Sequence, residues 1–419
     1  MNRFFGVLLL GMVLLGCNGE DPASEQECYQ LPMGTHLPRL SHKAPIISLE
    51  FVLSSGDTMH DKGFIRMEDG EWGNFHLSDA GLGNPFINWA DFPSSARYLD
   101  KDGNERFFSH YLRYSASGTY DYDIIYSDFA MSVGKDILPQ KLHQDTVSAE
   151  HGFLSSAAIP GGGLQVTWLD GRYTKVPEGA AAGAEKVEEQ GDDHGHGHGG
   201  GAMTLRTKAL SDSVSVELDH RVCDCCNTAT VATKDLTMVA YRDRSEHEIR
   251  DIGYVIKPTG GEWSTPKLVH ADNWEISGCP VNGPALAAND AGNIAIIWYT
   301  APADRAQISF ARYDATKDAF STPLVLDDNT PLGRVDLQLA ADGTAYATAL
   351  TTKEGTDDAF LTLWTISPKG DVSREDLAVT SPARSSGFPK IALFQDKLFW
   401  VRTVLGEEKG QQYVEVCWR

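Results

Sequence analysis

Short apolar stretches recur along the chain, each following a Gly or Asp turn and running out into polar or charged residues. Six copies align: FFSHYLRYS, LQVTWLDGR, TMVAYRDRS, AIIWYTAPA, AYATALTTK and LFWVRTVLG. Their matched positions are Tyr111, Trp168, Tyr241, Trp298, Ala349 and Trp400, giving steps of 57, 73, 57, 51 and 51 residues. Runs of this length between turn residues read as strands, and apolar spacing at i, i+3, i+4 is nearly absent. A second repeat sits at a fixed offset. Trp263-Ser264-Thr265-Pro266 with Leu268-Val269 and Asp272-Asn273 mirrors Phe320-Ser321-Thr322-Pro323 with Leu324-Val325 and Asp328-Asn329, and PQKLHQD (139–145) is a weaker third copy.

Self-similarity at this period marks a solenoid or a propeller. Six units of several strands each predict an all-β, six-bladed β-propeller with four-stranded antiparallel blades. The one long step contains residues 178–202, rich in Gly, Ala, Glu and His and without periodicity, which predicts a flexible insert.

The chain start predicts an address. Arg3 precedes an apolar run from Phe4 to Leu15, too short to span a bilayer and of secretory length. It ends in Leu14-Leu15-Gly16-Cys17, which resembles a bacterial lipobox. The expectation is a signal peptide over 1–16, acylation of Cys17, a polar tether to residue 43 and a propeller over 44–419. Asn18 resembles the pattern of lipoproteins sorted to the outer membrane. The protein would then sit in the cell envelope, touch the membrane through its lipid anchor only, and act as a monomer.

Charge narrows the partners. Lys and Arg number 36 against 58 Asp and Glu, a net −22, which excludes nucleic acid as a partner. Yet arginines gather where the strand pattern predicts one face. Antiparallel neighbours bring the lead-in of each inner strand and the exit of the second strand together. The exits hold Arg113, Asp170-Gly171-Arg172, Arg242-Asp243-Arg244 through Asp251, Asp304-Arg305 and Arg402; the lead-ins add Glu150, His151, Asn282, Arg334 and Arg384. A guanidinium fork suits a carboxylate, so this rim fits an acidic glycan or another anionic small molecule. The alternative is that Arg–Asp pairs brace neighbouring blades. The candidate ligand-binding residues are His151, Arg172, Arg242, Arg244, Arg250, Asn282 and Arg334. A glycosidase needs paired carboxyls, or a Tyr with a Glu. The candidates are Glu150, Asp170, Asp243, Glu248 and Asp251, with Tyr241, Tyr173 or Tyr299 as nucleophile.

Five segments carry a family resemblance: EHGF (150–153), WLDGR (168–172), CDCC (223–226), YRDRS-x-x-EIRD (241–251) and GCPVNGPAL (278–286). Over about residues 45–418 the chain resembles the sialidase-like (BNR/Asp-box) six-bladed propeller superfamily, and more closely bacterial sialidase-family lipoproteins and periplasmic proteins with these segments. Sialidases use three arginines on the substrate carboxylate, a Tyr nucleophile activated by a Glu, and an Asp acid/base. The Arg-Ile-Pro motif of those enzymes has no counterpart here. The Asp-box survives in pieces, as Ser127-Asp128 and Gly260-Gly261-Glu262-Trp263.

Export would leave six cysteines oxidised or metal-bound: Cys28, Cys223, Cys225, Cys226, Cys279 and Cys417. Cys28 and Cys417 lie near opposite ends, where a bridge would lock the ring. Cys223, Cys225 and Cys226 lead into one blade and Cys279 into the next. They read as disulfides, Cys279 with one of the three and a second pair among the rest, or as a thiolate site for Cu or Zn. His194, His196 and His198 alternate with Gly and could collect Cu or Zn weakly. The functional readings are therefore an acidic-ligand-binding propeller, a sialidase-like exo-glycosidase on the same face, and a non-enzymatic metal-handling or protein-interaction propeller.

Overall fold

Seven sheets, not six, form the ring. The computed structural model describes residues 26–175 and 201–419, apart from 44, 57–58, 78–81, 131–137 and 409. The expected signal peptide, Cys17 and the His194, His196 and His198 cluster lie outside the described residues.

Each blade is an antiparallel sheet running outward in chain order. The inner strands are Thr35–Lys43, Ser94–Leu99, His151–Ala158, Ala229–Ala232, Ala285–Ala288, Pro331–Leu339 and Lys390–Phe394. Each packs against the inner strand of the next blade, and the last packs back on the first, so the ring is closed. The last blade takes its outermost strand from the other end of the chain: Glu27–Gln30 pairs with Gln412–Trp418. Closure of this kind leaves no free edge between the first and last blades.

The blade absent from the six-fold count is the first. Its second strand, Ile46–Ser55, carries Phe51 at the position held by Trp or Tyr in five of the other six blades and by Ala349 in the sixth, 60 residues before Tyr111. Phe51 lies directly across from Gly63 in the third strand, as Tyr241 lies across from Gly253. This copy starts after Ala44-Pro45 and exits through Ser54-Ser55, with no Gly or Asp turn and no Arg, so its flanks do not repeat. Its inner strand, THLPRLSHK, is polar enough to read as tether.

The seams between blades form the core. Trp168, Trp298 and Trp400 are at most 1% exposed and each joins a cluster built from two adjacent blades. Burying a side chain of this size contributes roughly 2–3 kcal/mol, so the repeated aromatic is the seam's main anchor. The inner strands share one further feature. In blades 1, 3 and 6 the register shifts near the lead-in, with Leu37, Phe153 and Arg334 at positive φ. Such bulges re-aim a side chain, here at the lead-in face of the ring.

Candidate functional site

Lead-ins and exits do converge on one face: Glu150 O accepts from Gly171 N, Leu112 O from Phe86 N, and Arg242 O from Cys223 N. Apolar side chains from several lead-ins, including Leu37, Phe92, Phe153 and Phe388, close the middle of this face as one buried cluster. Beside that plug lies a cleft of about 90 Å³ lined by Asn88, Trp89, Val281 and Arg384, with Asp91, Tyr122 and Glu150 as buried polar members of its wall. The Arg384 side chain is exposed and has no hydrogen-bond or ion-pair partner among the described residues; its guanidinium stands 5.9 Å from the Trp89 ring centroid.

Tyr122 and Glu150 pair as an isolated parallel bridge between blades 2 and 3. Tyr122 Oη lies 2.9 Å from Glu150 Oε1 and 2.9 Å from Asp91 Oδ2. One hydroxyl has one proton to donate, so one of these carboxyls must be protonated and donate to the phenol oxygen. Asp91 Oδ2 also accepts the Phe153 N–H at 2.9 Å. Asp91 is thus the better-solvated anion and Glu150 the acid. Burial pushes Asp91 up to about 7, against the opposing pull of the Phe153 N–H, Tyr122 and the Arg39 charge. Burial pushes Glu150 well above the carboxylate range, and the charge of Asp91 adds to it. Burial also lifts Tyr122 well above its ordinary value. The result is a proton chain, Glu150 to Tyr122 to Asp91, in a buried wall of a cleft. Gly152 is what allows it: a Cβ there would fall 1.8 Å from Asp91 Oδ2 and 2.8 Å from the Tyr122 ring.

Strand alternation sends the next residues the opposite way. Asp123 and His151 meet His143, Asp145 and Asp170 behind the cleft. The His143 and His151 rings stack at 3.7 Å. His143 Nδ1 lies 2.6 Å from Asp145 Oδ2, and His143 Nε2 lies 3.1 Å from Asp123 Oδ1. His151 is therefore fully buried behind the cleft, while Glu150 faces it.

The arginines expected to hold an anion are engaged internally. Arg242, 1% exposed, donates to the carbonyls of Asn282, Arg250 and Tyr299. Arg334 caps the carbonyls of Pro382, Ala383 and Gly387 and the Ser386 hydroxyl. Arg172 grips Asp170 at 2.6 Å and reaches Asp145 at 3.2 Å. Arg244 binds Asp224 and Glu248, and Arg250 binds Glu248 and the Cys223 sulfur. Asn282 accepts the Arg334 N–H through its side chain. Arg242 and Arg334, with Asn282, brace neighbouring blades by satisfying backbone groups of the next lead-in or exit, while Arg172, Arg244 and Arg250 are spent mainly on local carboxylates.

Tyr241 and Asp243 stand apart from the Tyr122 cleft. Tyr241 Oη donates to Asp219 at 2.5 Å, and burial with that charge holds its pKa well above the ordinary value. Burial, then Asp219, pushes Asp243 up to about 6. Asp219 and Asp243 line an open groove of about 550 Å³ together with His220 and Arg244. Asp251 accepts the backbone N–H groups of Asn273 and Trp274. Tyr173 is exposed, and Tyr299 packs edge-on to Trp274.

Two cysteine pairs lie at disulfide distance: Cys28 with Cys417, and Cys225 with Cys279. Cys223 and Cys226 are buried, with sulfurs 3.4 Å apart. Burial raises the Cys223 thiol, but the hydrogen bond with Cys226 and the Arg250 charge outweigh it and bring it down to about 6.

Sequence reading missed Asp91, Tyr122, Asp123, His143 and Asp145. A signal was present for two of them, since Tyr120-Asp121-Tyr122-Asp123 alternates ring and acid just before the Glu150-His151 lead-in. His143 and Asp145 sit in PQKLHQD, noticed only as a repeat.

No family model matches the chain, and neither does any curated protein. Among solved structures, a PL25 ulvan lyase shares 11% identity over 92% of this chain and 95% of its own, with a TM-score of 0.52. The polysaccharide lyase Uly1 shares 10% over 91% and 89%, with a TM-score of 0.51. A Trypanosoma rangeli sialidase shares 10% over 92% of this chain and 54% of its own, at a TM-score of 0.43, too distant to carry the expected sialidase kinship. At such identities the likeness is one of fold: this chain shares the β-propeller architecture of glycan-active enzymes.

Proposed function

We propose that this chain is an exported, lipid-anchored propeller that binds the terminal residue of an acidic glycan at the Trp89–Arg384 cleft and acts on it as an exo-glycosidase. The observation that carries the reading is the single phenol, Tyr122, set 2.9 Å from both the Glu150 and the Asp91 carboxyl in the wall of that cleft. Arg384 supplies an unspent cation for a sugar carboxylate, and Trp89 an aromatic face for the ring. Glu150 would give its proton to the glycosidic oxygen as that bond breaks, and the proton lost by the attacking water would pass to Asp91, with Tyr122 linking the two carboxyls so that the acid can be restored. At about 90 Å³ the cleft has room for the tip of a sugar, such as its carboxylate, with the rest of the ring lying at the exposed mouth. The ulvan lyases of like fold act on a polysaccharide, and one was solved with a glucuronate-containing fragment, which supports an acidic glycan as the class. The Leu14–Cys17 segment and the cysteine pairs at disulfide distance support export.

The test is a binding and product screen on sialylated and uronate-bearing oligosaccharides with the parent chain, Arg384→Ala and Glu150→Gln. The expected pattern is binding weakened at least tenfold in Arg384→Ala, and turnover lost with binding kept in Glu150→Gln. Folded protein that neither binds nor cleaves any member of the panel would reject the reading. A second reading, metal handling, is favoured by one observation: Cys223, Cys225 and Cys226 place three sulfurs within 4.8 Å of one another. Copper or zinc analysis of reduced protein would decide it.

A further inference from the structure

Behind the cleft, His151 holds an orientation that ordinary hydrogen bonding does not complete. Its Nδ1 lies 3.1 Å from Ala149 O and 3.3 Å from Tyr122 O. Carbonyls only accept, so Nδ1 carries the hydrogen and Nε2 of the neutral ring presents a lone pair. That Nε2 is fully buried and has no hydrogen-bond partner. It points at Asp145 Oδ2, 3.2 Å away, and Asp170 Oδ1, 3.6 Å away. In that tautomer three acceptor atoms converge on one point.

We propose that Asp145, His151 and Asp170 bind a divalent transition cation of the zinc type. The three donor atoms lie within 4.8 Å of one another. Ligands about 2.0–2.1 Å from a tetrahedral ion stand about 3.3 Å apart, so 3.2 and 3.6 Å are the edges of a coordination shell. One imidazole and two carboxylates, with a water to complete four, form a common donor set for such ions. Each ligand is also held from outside, as metal ligands are. Ala149 O fixes the His151 ring, His143 Nδ1 lies 2.6 Å from Asp145 Oδ2, and Arg172 donates to both oxygens of Asp170 at 2.6 and 2.7 Å. Three carboxylates, those of Asp123, Asp145 and Asp170, crowd a space whose fixed cations are Arg172 and, at 3.8 Å from Asp123, Lys141. The alternative trio of Asp123, His143 and His151 would need His151 Nδ1, which is committed to the carbonyls. Bound there, the ion would tie the 142–150 linker to the blade 3 lead-in and exit. It would thereby position Glu150, the neighbour of His151, independently of which ligand the cleft takes.

The test uses Co²⁺ as a visible probe on the full-length chain, untagged and carrying His194→Ser, His196→Ser and His198→Ser so that the insert cannot contribute. The expected result is one Co²⁺ per folded chain, with ligand-field absorption, no thiolate charge-transfer band, and displacement by Zn²⁺. Asp145→Asn should weaken Co²⁺ at least tenfold, and Asp123→Asn by no more than about threefold. The spectrum of the parent chain needs no further variant, so a misfolded Asp145→Asn would leave the proposal testable. A folded chain that retains no stoichiometric Co²⁺, a sulfur-to-cobalt band, or equal loss in Asp123→Asn and Asp145→Asn would each overturn it; the first would mean that a proton alone bridges His151 to its carboxylates.

Discussion

Tyr122 Oη stands 2.9 Å from Glu150 Oε1 across the seam between blades 2 and 3, and the same oxygen stands 2.9 Å from Asp91. The phenol links two buried carboxyls. Tyr122→Phe should therefore cost about 1–3 kcal/mol in urea unfolding, because it takes the phenol from buried Glu150 and leaves Asp91 with the Phe153 N–H. The same variant should lose turnover. Unchanged stability in Tyr122→Phe would mean that water takes the place of the hydroxyl and that the chain is open to solvent.

The raised pKa of Asp91 has a sign that can be measured. With a folded value of about 7 and an unfolded value near the ordinary 3.8, the folded protein holds more protons between these limits. Unfolding free energy then falls as pH rises through that window, by a few kcal/mol at most. Glu150, also raised, adds to the fall. On the acid side the sign reverses. Burial disfavours the charged forms of Asp145 and Asp170, but the hydrogen bonds of His143 to Asp145 and of Arg172 to Asp170 outweigh it and hold both below the usual range, so their contribution is lost as pH drops through it. Urea midpoints should peak near pH 4–5 and decline toward 8, and Asp91→Asn should flatten the decline. A wild-type profile that rises steadily from pH 4 to pH 8 would contradict this assignment.

Arg242 and Arg384 separate architecture from recognition. Arg242 gives hydrogen bonds to three carbonyls from inside a seam, and its loss leaves those acceptors buried and unpaired. Arg242→Ala should destabilise the fold by about 3 kcal/mol or more, so any ligand effect in that variant would be indirect. Arg384→Ala should leave stability within about 0.5 kcal/mol, since the side chain is exposed and makes no ion pair with the described residues. Thermal melts of the two variants check this before any binding experiment is interpreted.

The contrast between those arginines also shows what a one-dimensional pattern can carry. Strand periodicity and the repeated Trp and Tyr positions were legible because most seams use a bulky aromatic at the same place, Ala349 being the exception. Phe51 obeys that rule, yet its blade was missed because turn and exit residues, which do not repeat there, had been used to find the copies. The shared face of lead-ins and exits followed from antiparallel pairing alone. Which side chain of that face meets solvent did not follow. Glu150 and His151 are adjacent in sequence and face opposite sides of the strand, and Asp91 reaches Glu150 through Tyr122 from separate loops of blade 2. Partners of that kind are fixed by folding, not by spacing.

Cys28 and Cys417 face each other in the register of the strands that close the ring, with Cα atoms 4.0 Å apart. Bonded, they would close a loop of 389 residues. The chain-entropy model assigns such a loop about 6 kcal/mol, an upper figure because it neglects structure in the unfolded chain. The four-residue strand Glu27–Gln30 has all four residues exposed, so little apolar burial holds it in place otherwise. Cys28→Ser should therefore detach this strand first. Hydrogen exchange should rise along Gln412–Trp418 while the inner strands stay protected, and the urea midpoint should fall by the equivalent of about 2–5 kcal/mol. Non-reducing peptide mapping of the parent chain gives the direct check. A free Cys28 thiol in oxidised protein would show that backbone pairing alone closes the propeller.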